Sequence, residues 1–164
     1  MKTVEEVLRI VLIGCGATLV MDIWLMSIKR MGVQTLNFAL IGRWVGHVFR
    51  GRIAHAAIGK APPVAHEALL GWGTHYAVGI AFAFLLVGIA GGAWMAAPSP
   101  GIAILTGVAT VAFPLFVMQP AMGLGIAASK TAAPVRSVIR SLINHAVFGV
   151  GLFLSACVIA WVFR

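Results

Sequence analysis

Charge is scarce in this chain. Only 10% of its 164 residues are charged, and the acids number four against twelve Lys and Arg. A soluble domain carries about a quarter charged residues, so a surface built mainly for water is excluded. Cysteine is nearly missing too. Two Cys and five His are too few, and too widely spaced, to frame a zinc site. The signatures of soluble enzymes are also lacking. There is no Ser nucleophile motif, and His66-Glu67 lacks the second His of a zincin helix. Gly14-x-Gly16 has no strand-and-helix context for a dinucleotide, so no residue receives a catalytic role.

What the chain has is apolar length: 61% of it is hydrophobic. A helix crosses the hydrocarbon core with about 20 mostly apolar residues. Four segments qualify: Val7–Ile28, Trp72–Ala97, Gly101–Met118 and Val138–Phe163. The expected fold is all-α, a single domain over 1–164 of four transmembrane helices. The net charge of +8 does not point to nucleic acid, because most of it sits in two loops between apolar runs. Lys29, Arg30, Arg43, Arg50, Arg52 and Lys60 lie in the first, and Lys130, Arg136 and Arg140 in or just after the third. Positive loops face the cytoplasm, which places both termini outside. Leu12-Ile13-Gly14-Cys15 looks like a lipidation box, but the apolar stretch before it is too short for a signal peptide and the run continues past it. Cys15 and Cys157 read as small packing residues in the outer half of the membrane, and nothing in the sequence argues for a disulfide. Trp24, Trp44, Trp72, Trp94 and Trp161 read mostly as interface anchors.

The chain also reads as repeated. Lys60, His75 and Gly79 recur seventy positions later as Lys130, His145 and Gly149, with Pro63 and Pro134 expected to open the two helices. Ala17-Thr18-Leu19-Val20 resembles Ala109-Thr110-Val111-Ala112 at an offset of 92, which implies an insertion of 22 residues in the first loop. The expected arrangement is two helical hairpins related as a parallel repeat. The inserted stretch, Leu36 to Gly51, places Arg43, His47 and Arg50 on one helical face and Phe38, Ile41, Val45 and Val48 on another. That pattern fits an interfacial amphipathic helix, or a re-entrant segment, with Arg43, His47, Arg50, Lys60 and Lys130 meeting anionic lipid headgroups.

Ionisable residues within spans are functional candidates by default. Asp22, His75 and His145 each share a stripe with small residues: Gly14-Thr18-Asp22, Gly71-His75-Gly79-Ala83 and Ser137-Ser141-His145-Gly149. Small residues let helices approach closely. Four readings stay open. The polar set could simply clasp helices together. It could bind or relay an ion, proton or small solute, with Thr18, Thr110 and Asn144 lining the path, Pro114 and Gln119-Pro120 breaking the third span, and a homodimer expected. His75 and His145 could ligate haem or a metal. Alternatively the chain is an accessory subunit of a larger membrane complex, with Gly88-xxx-Gly92 as a contact.

The succession Ala17-Thr-Leu-Val-Met-Asp22, Arg43-Trp44-Val-Gly46-His47, Trp72-Gly-Thr-His75-Tyr, Phe113-Pro114 with Gln119-Pro120, Ala128-Ser-Lys130-Thr and Asn144-His145-Ala-Val-Phe-Gly149 resembles a family of small multi-spanning bacterial inner-membrane proteins, a domain of unknown function. The resemblance covers nearly the whole chain. It implies a bacterial inner membrane and no particular chemistry.

Overall fold

The computed structural model describes residues 2–163, which contain helices and no strand. Helix α1 runs Lys2–Arg30, α2 Phe38–Val48, α3 Glu67–Ala90, α4 Pro100–Ala109, α5 Gln119–Ala121 and α6 Pro134–Val162. Four helical stretches are long and apolar enough to cross a membrane: Thr3–Arg30, Glu67–Ala90, Pro100–Ala121 and Pro134–Val162. Large apolar side chains stand bare on all four, among them Leu19, Ile89, Leu105 and Val158. Lipid is the solvent that suits such faces.

The helix limits differ from the sequence pattern for local reasons. α6 begins at Pro134, where a missing N–H costs nothing. Pro63 does not open α3. The helix waits until Glu67, whose carboxylate accepts the Val64 N–H at 3.2 Å, and His66 just before it holds a left-handed φ of 57°. α3 stops at Ala90 because Gly91 turns left-handed, φ 81°, while its N–H closes on the Val87 carbonyl at 2.8 Å. Gly92 therefore lies beyond the helix, in a short turn through Met95, and does not continue a contact stripe from Gly88. The third stretch is interrupted near Pro114 and Pro120: the regular helix of α4 ends at Ala109, and residues 110–111 form a turn. Between them Pro114–Met118 widens into a π turn, with the Gln119 N–H reaching the Pro114 carbonyl.

The chain divides into two compact units. The first comprises Met1–Gln34, Tyr76–Thr110 and Ile143–Arg164. Its core joins Ile13 and Ala17 of α1, Leu86 of α3, Ala103 of α4 and Phe148 and Leu152 of α6. Glycine sets the helix spacing. A Cβ on Gly14 would sit 2.6 Å from the Ile80 Cα, and one on Gly107 would sit 2.5 Å from the Gly149 Cα. α1 thus lies backbone to backbone on α3, and α4 on α6, the close approach that favours association in lipid. Cys15 and Cys157 are free thiols.

The second unit comprises Thr35–His75 and Val111–Leu142. Its core joins Ile41 and Trp44 of α2 with Ile58, Met118 and Met122. Asn37 caps α2, its side chain accepting the Ala39 N–H at 3.0 Å. The loop after α2 is pinned to the end of α5 and the residue after it by two backbone bonds, His55 N–H to Ala121 O at 2.8 Å and Ile58 N–H to Met122 O at 3.0 Å. Gly123, at φ 88°, lets the chain pass close under the Ala56 carbonyl.

Candidate functional site

In the first unit the sequence candidates are buried and bonded. Asp22 is 5% exposed, and one carboxylate oxygen accepts the Tyr76 phenol at 2.9 Å. Thr18, one turn earlier, donates its hydroxyl to the Gly14 carbonyl at 2.8 Å. On α6, Asn144 accepts the Trp24 indole N–H at 3.0 Å, and His145 Nδ1 lies 2.9 Å from the Thr110 hydroxyl. That hydroxyl also lies 2.6 Å from the Gly107 carbonyl, which can only accept. Its single proton goes either to the carbonyl or to the ring, so the tautomer of His145 and the hydroxyl rotor are linked. Phe82 flanks the same imidazole at 6.4 Å between ring centres.

His75 falls in the second unit. Its ring packs on Phe38 at 4.6 Å and on the edge of Trp72 at 6.0 Å, and Phe38 packs on Trp72 in turn. α2 reaches α3 here through paired glycines: a Cβ on Gly71 would meet the Phe38 carbonyl, and one on Gly42 the Glu67 carbonyl.

The basic residues divide sharply. Arg50, Lys60 and Lys130 are exposed. Arg43 is engaged inside the protein: its guanidinium forks onto Glu67 with two bonds of 2.8 Å and reaches the Ala61 and Gly59 carbonyls at 3.2 and 3.3 Å. Those bonds to Glu67 raise its pKa further above the usual arginine range. His47 is buried, with Nε2 2.9 Å from the Pro62 carbonyl. The tryptophans divide too. Trp44 and Trp94 are buried, and the Trp44 indole bonds the Ile53 carbonyl at 2.8 Å.

Several participants escaped the sequence reading. Tyr76 is the chain's one tyrosine, and it stands one turn before Gly79 on the face that meets α1. A search for hydroxyl-bearing residues at i−3 from a stripe glycine finds it. Glu67 and Arg43 are 24 positions apart, and only the fold joins them. His55 and Gln119 are buried with side-chain atoms that have no hydrogen-bond partner among the described residues. No local pattern marks either one. Among the described residues, no three His, Cys, Asp or Glu side chains gather into a metal cluster.

Comparison with known proteins adds a family and no chemistry. No curated protein and no solved structure matches the chain. A family model does: residues 11–159 match "Protein of unknown function (DUF2938)", and the chain belongs to that family.

Proposed function

We propose that this chain is a small multi-pass membrane protein that binds or translocates a proton, cation or small solute, with Asp22 as its working group. The observation that carries the reading is a carboxylate 5% exposed within a membrane-length helix, about two turns before its C-terminal end, held by a phenol. An ionisable group in hydrocarbon is costly and persists where it serves a pathway. Tyr76 can donate to Asp22 in either protonation state, so the pair can change charge without losing its bond. The coupled Thr110 hydroxyl and His145 ring, with Thr18 and Asn144, supply further exchangeable protons in the same unit.

The parallel-repeat arrangement belongs to this proposal. Its support is that each hairpin is closed by glycine, α1 on α3 at Gly14 and Gly79, α4 on α6 at Gly107 and Gly149. Gly79 and Gly149 are partners in the seventy-residue offset. We place the protein in a bacterial inner membrane with the basic loops cytoplasmic. There the exposed Arg50, Lys60 and Lys130 meet anionic headgroups.

The test is flux. Protein in liposomes carrying a pH-sensitive dye, and separately a cation-sensitive dye, is compared with Asp22→Asn and Tyr76→Phe. Asp22→Asn keeps a phenol acceptor and removes the ionisable group, so it should abolish flux while thermal stability holds. Tyr76→Phe should reduce flux and cost roughly 1–3 kcal/mol, the range for leaving a buried acceptor without its donor. Unchanged flux in Asp22→Asn refutes the role of Asp22. Extraction of the wild type in a larger complex, with no flux of its own, would favour the accessory-subunit reading instead.

A further inference from the structure

His55 is 7% exposed, and neither of its ring nitrogens makes a well-directed hydrogen bond among the described residues, although the Ala121 and Ile53 carbonyls lie near the ring. Buried polar atoms are almost always paired, and leaving one unpaired is costly. Two on one ring call for an occupant. Water could satisfy them, but the neighbouring histidine is arranged for a different one.

His47 faces His55 with ring centres 4.9 Å apart and planes at 71°. Its Nε2 lies 2.9 Å from the Pro62 carbonyl. A carbonyl cannot donate, so Nε2 carries the proton and Nδ1 keeps its lone pair. A carbonyl on one nitrogen, with the other left free to coordinate, is how proteins orient a metal-bound imidazole. The ring separation also fits. A metal–nitrogen bond of about 2.0–2.1 Å puts the ring centre about 3.2 Å from the ion. Two such rings 4.9 Å apart subtend an angle of about 100° at the ion, near the tetrahedral value.

We propose that His47, in the last turn of α2, and His55, in the loop after it, are the protein ligands of a transition-metal site that takes a borderline divalent ion of the zinc or copper class. Neutral imidazoles suit these ions and do not suit calcium or magnesium, which take oxygen ligands. Arg52 is exposed and no carboxylate shares the cluster, so water or a small anion completes the coordination. Binding would clamp the end of α2 to the loop that His55 already ties to Ala121.

The experiment uses purified full-length protein in detergent, stripped of metal by chelator. Zinc is titrated by calorimetry, and cobalt(II) is followed by its visible bands. One zinc per chain and four-coordinate cobalt bands are expected. His55→Phe keeps the ring-edge packing and removes both nitrogens, and it should weaken zinc at least tenfold. His55→Cys restores a ligand and should recover binding, which a purely structural role would not produce. No zinc binding by the wild type, or equal affinity in His55→Phe, overturns the proposal. Should the Phe variant fail to fold, the wild type still decides: zinc must shift the ring ¹⁵N signals of His47 and His55, and unshifted signals refute the site.

Discussion

Gly71 and Gly73 stand two residues apart on α3 and should respond to alanine with opposite signs. Around Gly73 a Cβ would find nothing within 4 Å. On Gly71 it would lie 2.6 Å from the carbonyl carbon of Phe38, closer still to its oxygen, and 3.2 Å from the Gly42 nitrogen. Ordinary contact between carbon atoms is about 3.5–4.0 Å. The backbone of α2 must therefore retreat by about 1 Å, and the obstacle is no flexible side chain. Overpacking a close-packed site costs roughly 1–3 kcal/mol, occasionally more, and a rigid backbone obstacle puts this one at the upper end. Against it stands the gain of nearly 1 kcal/mol for alanine over glycine in a helix. The net for Gly71→Ala is a loss of about 2 kcal/mol, and for Gly73→Ala a gain of up to about 1. For a chain of this size each kcal/mol moves Tm by about 2–4 °C. Thermal unfolding of the two variants in one detergent should put them roughly 6–12 °C apart. If Gly71→Ala melts no lower than Gly73→Ala, the close approach of α2 to α3 is refuted.

The other outcomes concern the second unit. Arg43→Lys keeps the charge but loses the fork onto Glu67 and the reach to Ala61 and Gly59, so it should lower Tm, though less than Arg43→Ala. In a double-mutant cycle, Arg43→Ala with Glu67→Gln should cost less than the two single losses together. His55 predicts a pH dependence. Its pKa falls below the ordinary 6.5 on folding, so below that pH the unfolded chain takes up a proton that the folded chain does not. Metal-free protein should hold its stability above pH 6.5 and lose it on acidification. This group contributes at most about 1.4 kcal/mol per pH unit, until the folded value is passed. His55→Phe should flatten that part of the Tm–pH curve, and an unchanged slope refutes the assignment.

The four long helices were legible because apolar length is a property of contiguous sequence. Their ends were less so. Pro63 reads as a helix start, yet Glu67 accepts the Val64 N–H and is itself held by Arg43, so the start depends on a residue 24 positions away. Arg43 shows the same limit from the other side. Helical spacing put it on a basic face with His47 and Arg50, but the hairpin brings Glu67 within reach, and a paired guanidinium has little left for a headgroup. Asp22, Thr18, Asn144 and His145 could be flagged by type and depth alone. Their pairings with Tyr76, Trp24 and Thr110 could not, because each joins residues far apart in the chain.

Two sets of buried polar residues in this chain are held differently. Inside the membrane-length helices, Asp22, Asn144 and His145 each have a named partner. A polar group with no partner in hydrocarbon costs several kcal/mol, so these bonds stabilise the fold whether or not they also serve a pathway. Their existence does not distinguish a clasp from a conduit. Exchange does, because a conduit must break and remake them during turnover. The Thr110 hydroxyl is the informative case, since its one proton is contested by the Gly107 carbonyl and the His145 ring. His55 reverses the argument. Outside those helices water is at hand, and an unpaired imidazole there is no price of crossing lipid. Its two vacant nitrogens sit beside a second imidazole already oriented by a carbonyl. The intramembrane set therefore has to be tested by flux, and the loop pair by binding.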